Sequence, residues 1–181
     1  MKKIKGIVRR EGKLRSQRVL KPDRKKLPLQ VLMKFRLIIN STKRHFKWVE
    51  QQCGINGAQL WALWELHRAP GVRVTELADA MAVHQSTVSI LLNKLVKAKL
   101  IERKRSGDDQ RVVKLSITEA GKKLLRRAPK PARGVLPEAL HHLPQSALVS
   151  LDNLLGHVLK EMRPKDMQSM TRPLADILAG K

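Results

Sequence analysis

The chain has 181 residues, enough for one domain with arms and a real core but short of two large domains. Aromatics are 3% and tyrosine is absent, so Leu, Val, Ile and Ala must build the core, as in a helical protein; 38 Lys and Arg against 15 Asp and Glu leave +23, a self-repelling surplus that makes nucleic acid the first expected partner and an anionic membrane the second. The single Cys53 excludes an internal disulfide framework and a four-cysteine zinc module, and no apolar run approaches the roughly 18 residues of a bilayer span.

Residues 1–28 hold twelve Lys and Arg against Glu11 and Asp23, a net of +10 that leaves +13 for the rest; with so little to bury, residues 1–27 read as a mobile basic arm. From Pro28 the apolar positions Val31, Leu32, Phe35, Ile38, Ile39, Phe46 and Val49 recur at helical spacing, predicting a long amphipathic helix that ends near Cys53-Gly54. Asn56, with Gln59 three residues on, offers a capping box for a second helix with Leu60, Leu63, Trp64 and His67 on one face and a stop at Pro70-Gly71. Val72 to Val74 is too short for more than an edge strand. Thr75 is the expected cap of a brief helix, Glu76 to Met81, followed by a turn at Val83-His84 and a helix from Gln85 to Lys97 or Lys99. Two short helices joined this tightly, with alanines where they cross, are what a helix-turn-helix needs.

The period then switches from 3.6 to 2. Leu100 to Arg105 and Arg111 to Ile117 read as strands joined by the turn-forming Ser106-Gly107-Asp108-Asp109-Gln110, a hairpin. Thr118 caps a helix beginning at Glu119. Pro129, Pro131 and Gly134 break it, a helix restarts near Pro137, and Pro144 opens a last strong one with Leu148, Leu151, Leu155, Val158 and Met162 along one stripe. The segment from Pro164 is weakly amphipathic and reads as a packed or swapped tail.

Helix, helix, turn, helix and basic hairpin is the winged-helix order. With about 100° per residue, Val88, Leu91, Leu92 and Leu95 share one face of the last helix, and burying them is worth roughly 6–12 kcal/mol before entropy, enough to fix its rotation. Ser86, Ser89, Ile90, Asn93 and Lys97 fall on the opposite arc. Asn93 suits hydrogen bonding to a base edge in the major groove, while Gln85, Ser86 and Thr87 sit where free backbone amides meet phosphates. Arg103, Lys104, Arg105 and Arg111 stand at the ends of the hairpin, whose thin ribbon carries cations toward a groove.

The segments Glu76-Leu77-Ala78, Gln85 through Leu95, Leu100-Ile101-Glu102-Arg103, Asp109-Gln110-Arg111 and Leu115 through Gly121, in this order, resemble the MarR family of bacterial winged-helix transcriptional regulators over about residues 28–162. The resemblance implies a mainly α fold with a small β hairpin: a winged helix-turn-helix domain (55–123) between helices that dimerise (28–54 and 124–162), with the arm (1–27) and a tail (163–181) outside. It further implies a homodimer on a pseudo-palindromic double-stranded DNA site, in the bacterial cytoplasm at the nucleoid. Carried over by position, Asp109 would brace the wing, Arg111 would enter the minor groove, and Ser86, Thr87, Ser89, Asn93 and Lys94 would face the major groove or its phosphates. Ile90 stands where the family often has a base-contacting arginine, leaving it to touch a thymine methyl or to pack; His84 replaces a small cap, and Lys99-Leu100 replaces Gly-Leu.

No enzyme site, metal-ligand set or cofactor motif is expected: the six histidines form no HExxH, and no phosphate-binding glycine loop is present. Cys53 reads as a small hydrophobe, with oxidant sensing beside cations such as Lys47 as the other option. For an effector the resemblance suggests a small phenolic or aromatic anion between the dimer and reading domains, with Arg36, Arg44, His45, Trp48 and Trp61 as candidate lining. The competing functional class is a non-specific DNA-architectural or RNA-binding protein in which the arm dominates.

Overall fold

The structure is a computed structural model that describes residues 25–105 and 113–180; the side chains of Lys104, Arg105 and Val113 are outside the description. Most of the basic arm and the wing tip, with Asp109, Gln110 and Arg111, therefore lie outside the described residues. The chain separates into two units, Met1–Phe35 and Arg36–Lys181. The first contributes the opening turns of helix α1 (Leu27–Cys53), where Leu29, Val31, Leu32 and Met33 are exposed.

In the second unit α1 buries Thr42, His45, Val49 and Cys53, a helical stripe, while Leu37, Ile38 and Ile39 stay exposed. The apolar face expected to run through Ile38 and Ile39 is thus covered only in its last turns. Thr42 is satisfied inside the core by donating its hydroxyl to the Ile38 carbonyl at 2.8 Å. Gly54, at φ +67°, takes the left-handed turn that ends the helix. Helix α2 (Gly57–Arg68) then starts on the expected capping box, with Gln59 N–H donating to Asn56 Oδ1 and Asn56 N–H to Gln59 Oε1, both at 2.9 Å.

Helix α3 (Val74–Met81) begins earlier than Thr75 suggested, because Glu76 accepts from the Arg73 amide at 2.8 Å and draws Val74 into the first turn. Val72 to Val74 is accordingly not a strand. Gly71 and Val72 do exchange backbone hydrogen bonds with Leu115, at 2.9 and 3.3 Å. A turn through left-handed Ala82 leads into helix α4 (Gln85–Lys97), and left-handed Lys99 leads out of it into strand β1 (Ile101–Arg105). Strand β1 pairs antiparallel with β2 (Val113–Ile117) in the register Ile101 to Ile117 and Arg103 to Leu115.

Helix α5 (Glu119–Arg127) is capped by Thr118, whose hydroxyl accepts from the Gly121 amide at 3.1 Å. Gly121 lies so close to the Leu100 carbonyl that any side chain there would collide with it, which locks α5 against the base of the hairpin. The proline-rich break follows as expected, and Ala128 and Ala132 within it are buried. Helix α6 (Val135–His141) starts two residues before Pro137, and α7 (Gln145–Met162) is N-capped by Pro144. The tail is packed on its own chain: a 3₁₀ turn (Met167–Thr171) and α8 (Leu174–Leu178) run back over α2, with Ala175 buried and Asn56 Nδ2 donating to Asp176 Oδ1 at 3.1 Å. The core lies inside the winged helix, where Leu60, Leu63, Leu66, Leu77, Leu92, Leu95 and Leu115 are all but inaccessible.

Candidate DNA-binding site

Helix α4 is divided as its sequence pattern requires. Val88, Leu91, Leu92 and Leu95 are 0–2% exposed, whereas Ile90 is 57% exposed and Gln85, Ser86, Asn93, Lys94 and Lys97 are open to solvent. Thr87 and Ser89 are half-buried at the border. The rotation is fixed by packing of α4 on α2, α3 and β1.

The N-cap, His84, makes no side-chain hydrogen bond to the first turn. The first amides of α4 thus keep their donors and the positive end of the helix dipole at the exposed Gln85-Ser86 corner. The His84 amide itself is held from the tail, donating to the Thr171 carbonyl at 3.3 Å. Ser89 spends its hydroxyl proton on the Gln85 carbonyl at 3.0 Å, so outward it offers lone pairs only.

One pairing on this surface goes beyond the sequence reading, which has Arg103 only as a ribbon cation. Arg103 shares with Ile101 the face of β1 turned toward α4, and its Nη2 donates to Asn93 Oδ1 at 2.8 Å. The signal was the strand alternation itself: Ile101 points inward, so Arg103 does too, at the level where the core gives way to the exposed end of α4. Lys104 and Arg105 are placed only by backbone register, opposite Lys114 and Val113.

The five effector candidates do not converge. Arg36, Arg44 and Trp48 are exposed on α1, and His45 is buried. Burial holds the His45 imidazole below its usual pKa, partly countered by a hydrogen bond with the Pro131 backbone. Only Trp61 lines a sizeable cavity, of about 340 Å³, with Phe46, Met81, Leu140, Met170 and Arg133. The tail supplies one wall of it, which no local pattern announced. Arg133 lies 4.4 Å above the Trp64 ring and 3.1 Å from Glu138 Oε2, yet its buried Nε has no aligned hydrogen-bond acceptor. Cys53 is buried; burial raises its thiol pKa, with Arg127 opposing, so the thiolate that oxidant chemistry needs is disfavoured. Among the described residues no group of three His, Cys, Asp or Glu is placed to hold a metal, and no helix is long and apolar enough to cross a membrane.

A helix-turn-helix followed by a hairpin, with a segregated polar face on its second helix, defines a winged helix of the DNA-binding class. Residues 54–112 match the model of the MarR family. The chain is 24% identical over 119 residues to the HTH-type transcriptional repressor MdtR of Bacillus subtilis (strain 168), covering 66% of this chain and 77% of that protein. It shares its fold with YusO from Bacillus subtilis (TM-score 0.50, 21% identity, 76% of this chain and 98% of that one). A cysteine-to-serine mutant of MarR from E. coli, complexed with operator DNA, is similarly alike (TM-score 0.50, 19% identity, 76% and 99%). Over residues 54–112, and over the span it shares with MdtR, the chain is thus similar to the MarR family of transcriptional regulators.

Proposed function

We propose that the protein is a homodimeric repressor that seats two winged helices on a pseudo-palindromic DNA site and is released by a small aromatic or phenolic anion. The observation that carries the DNA reading is the division of α4 into a sealed apolar face and an open polar one. Gln85, Ser86 and Thr87 present first-turn amides to phosphate, Ser89 and Asn93 face base edges, and Lys94 meets the backbone. Lys104, Arg105 and Arg111 extend the contact along the wing, with Asp109 bracing it.

The dimer is supported by apolar side chains that the single chain leaves uncovered: Leu37, Ile38 and Ile39 on α1, and Val149, Leu154, Val158 and Leu159 on α7. Such surface on a chain this charged calls for a second copy. Release by a ligand is supported by the cavity beside Trp61, which is of small-molecule size, mostly apolar, and carries the unaligned Arg133 donor. Its tail wall continues through Thr171 to His84 at the start of α4, so an occupant that displaces the tail also disturbs the reading helix.

Titrating the full chain against a selected site and random duplexes at several salt concentrations tests this reading. A regulator prefers its site by about 10³-fold or more, and the preference survives added salt. Affinity equal for all duplexes and falling uniformly with salt would instead establish the architectural alternative, in which the +23 charge does the binding.

A further inference from the structure

Ile90 is the one apolar side chain of α4 that neither the core nor a neighbouring element covers. At 57% exposure it stands among Ser86, Ser89 and Asn93, whereas Val88, Leu91 and Leu92 around it in sequence are sealed. It does not pack. A β-branched side chain on a reading face is rigid and apolar, and the apolar group a major groove displays is the thymine 5-methyl.

Asn93 is one turn further along, within the spacing at which helical side chains are neighbours. Its carboxamide is already oriented. A guanidinium only donates, so the Asn93 atom facing Arg103 Nη2 at 2.8 Å is the oxygen, and the amide nitrogen is left as the outward donor. Of the four bases, thymine alone offers a methyl group next to an acceptor, O4; cytosine presents only an amino donor that would oppose an amide N–H, while adenine and guanine have acceptors but no methyl.

We propose that Ile90 and Asn93 together read one thymine in each half-site, Ile90 against the 5-methyl and Asn93 Nδ2 donating to O4, with Arg103 as the positioning residue that sets the Asn93 carboxamide. The assignment rests on α4 being the reading helix and specifies which base it reads. It also gives Ile90, which departs from the arginine common in the family, a recognition role of its own.

The experiment uses the full chain and a duplex it selects from a random library. Each thymine in turn is replaced by deoxyuridine, which removes only the methyl, or by 5-methyl-deoxycytidine paired with guanine, which keeps the methyl and turns the acceptor into a donor. At one thymine per half-site, deoxyuridine is expected to weaken wild-type binding about 4-fold, the worth of one buried methyl, and to leave Ile90→Ala nearly unaffected. The 5-methyl-deoxycytidine duplex is expected to lose about 10-fold with wild type and much less with Asn93→Ala. Arg103→Met is expected to relax base preference at that position at unchanged melting temperature, whereas a merely structural role would lower affinity for every duplex alike. The proposal is overturned if no thymine is methyl-sensitive, or if deoxyuridine weakens Ile90→Ala as much as wild type. Should Asn93→Ala still shift the selected motif in that case, α4 remains the reader and only the thymine assignment falls; should neither substitution shift it, the reading helix itself is wrong.

Discussion

Along α4, Val88, Leu91, Leu92 and Leu95 are 0–2% exposed within a single chain, whereas along α7, Leu155, Val158 and Met162, on the stripe begun by the half-buried Leu148 and Leu151, are 37–69% exposed. Both helices carry an apolar stripe at the same helical period. The difference is in what covers it: α4 is roofed by α2, α3 and β1, while among the described residues α7 makes no comparably dense contact with another element. Periodicity thus says that a face is to be covered and not whether the cover comes from the same chain. The winged helix closes its own core, and the flanking helices leave apolar side chains uncovered within the single chain.

Truncation on the two stripes separates the cases most sharply. Leu92→Ala is expected to cost about 2–5 kcal/mol in urea unfolding, because the cavity it leaves cannot be filled from solvent. Val158→Ala should change the unfolding of dilute, dissociated protein by less than about 0.5 kcal/mol while weakening self-association in sedimentation. Equal losses at both positions in dilute protein would mean that α7 is covered by its own chain.

Smaller effects probe how the winged helix holds itself. Asn56→Ala removes both the α2 capping box and the tie to Asp176, and should cost about 1–2 kcal/mol; Asp176→Ala should cost less, since the cap survives. Lys99 sits at φ +56°, a left-handed position that suits glycine. Lys99→Gly is therefore expected to stabilise by about 0.5–1 kcal/mol, the left-handed strain offset in part by a freer unfolded chain. No gain in melting temperature would show that the strain is already relieved in the native turn.

How much of this was legible follows the range of the interactions. The Gln85–Lys97 helix, its sealed face and the Asn56–Gln59 box were readable because caps and period are local signals. The start of α3 differs from the sequence reading by two residues, and with it the short strand at Val72, because a threonine looks like the better cap while Glu76 reaches back to Arg73 instead. The tail's seat was not readable at all: Asn56 and Asp176 are 120 residues apart, and nothing in either segment names the other. For the same reason Trp61 was named as effector lining without Arg133 or Met170, which share its cavity, and in company with Arg36, Arg44 and Trp48, which do not. Arg103 was seen as one more ribbon cation, since charge alone hides the strand face it occupies.

The most direct test of the account is an unbiased selection of duplexes by the full chain, followed by sequencing. A reading helix on each protomer of a dimer predicts an inverted repeat with half-sites about 10 base pairs apart, centre to centre, and a motif that changes when Asn93 is replaced by alanine. Recovery of no motif, or of a single half-site indifferent to Asn93, would contradict it.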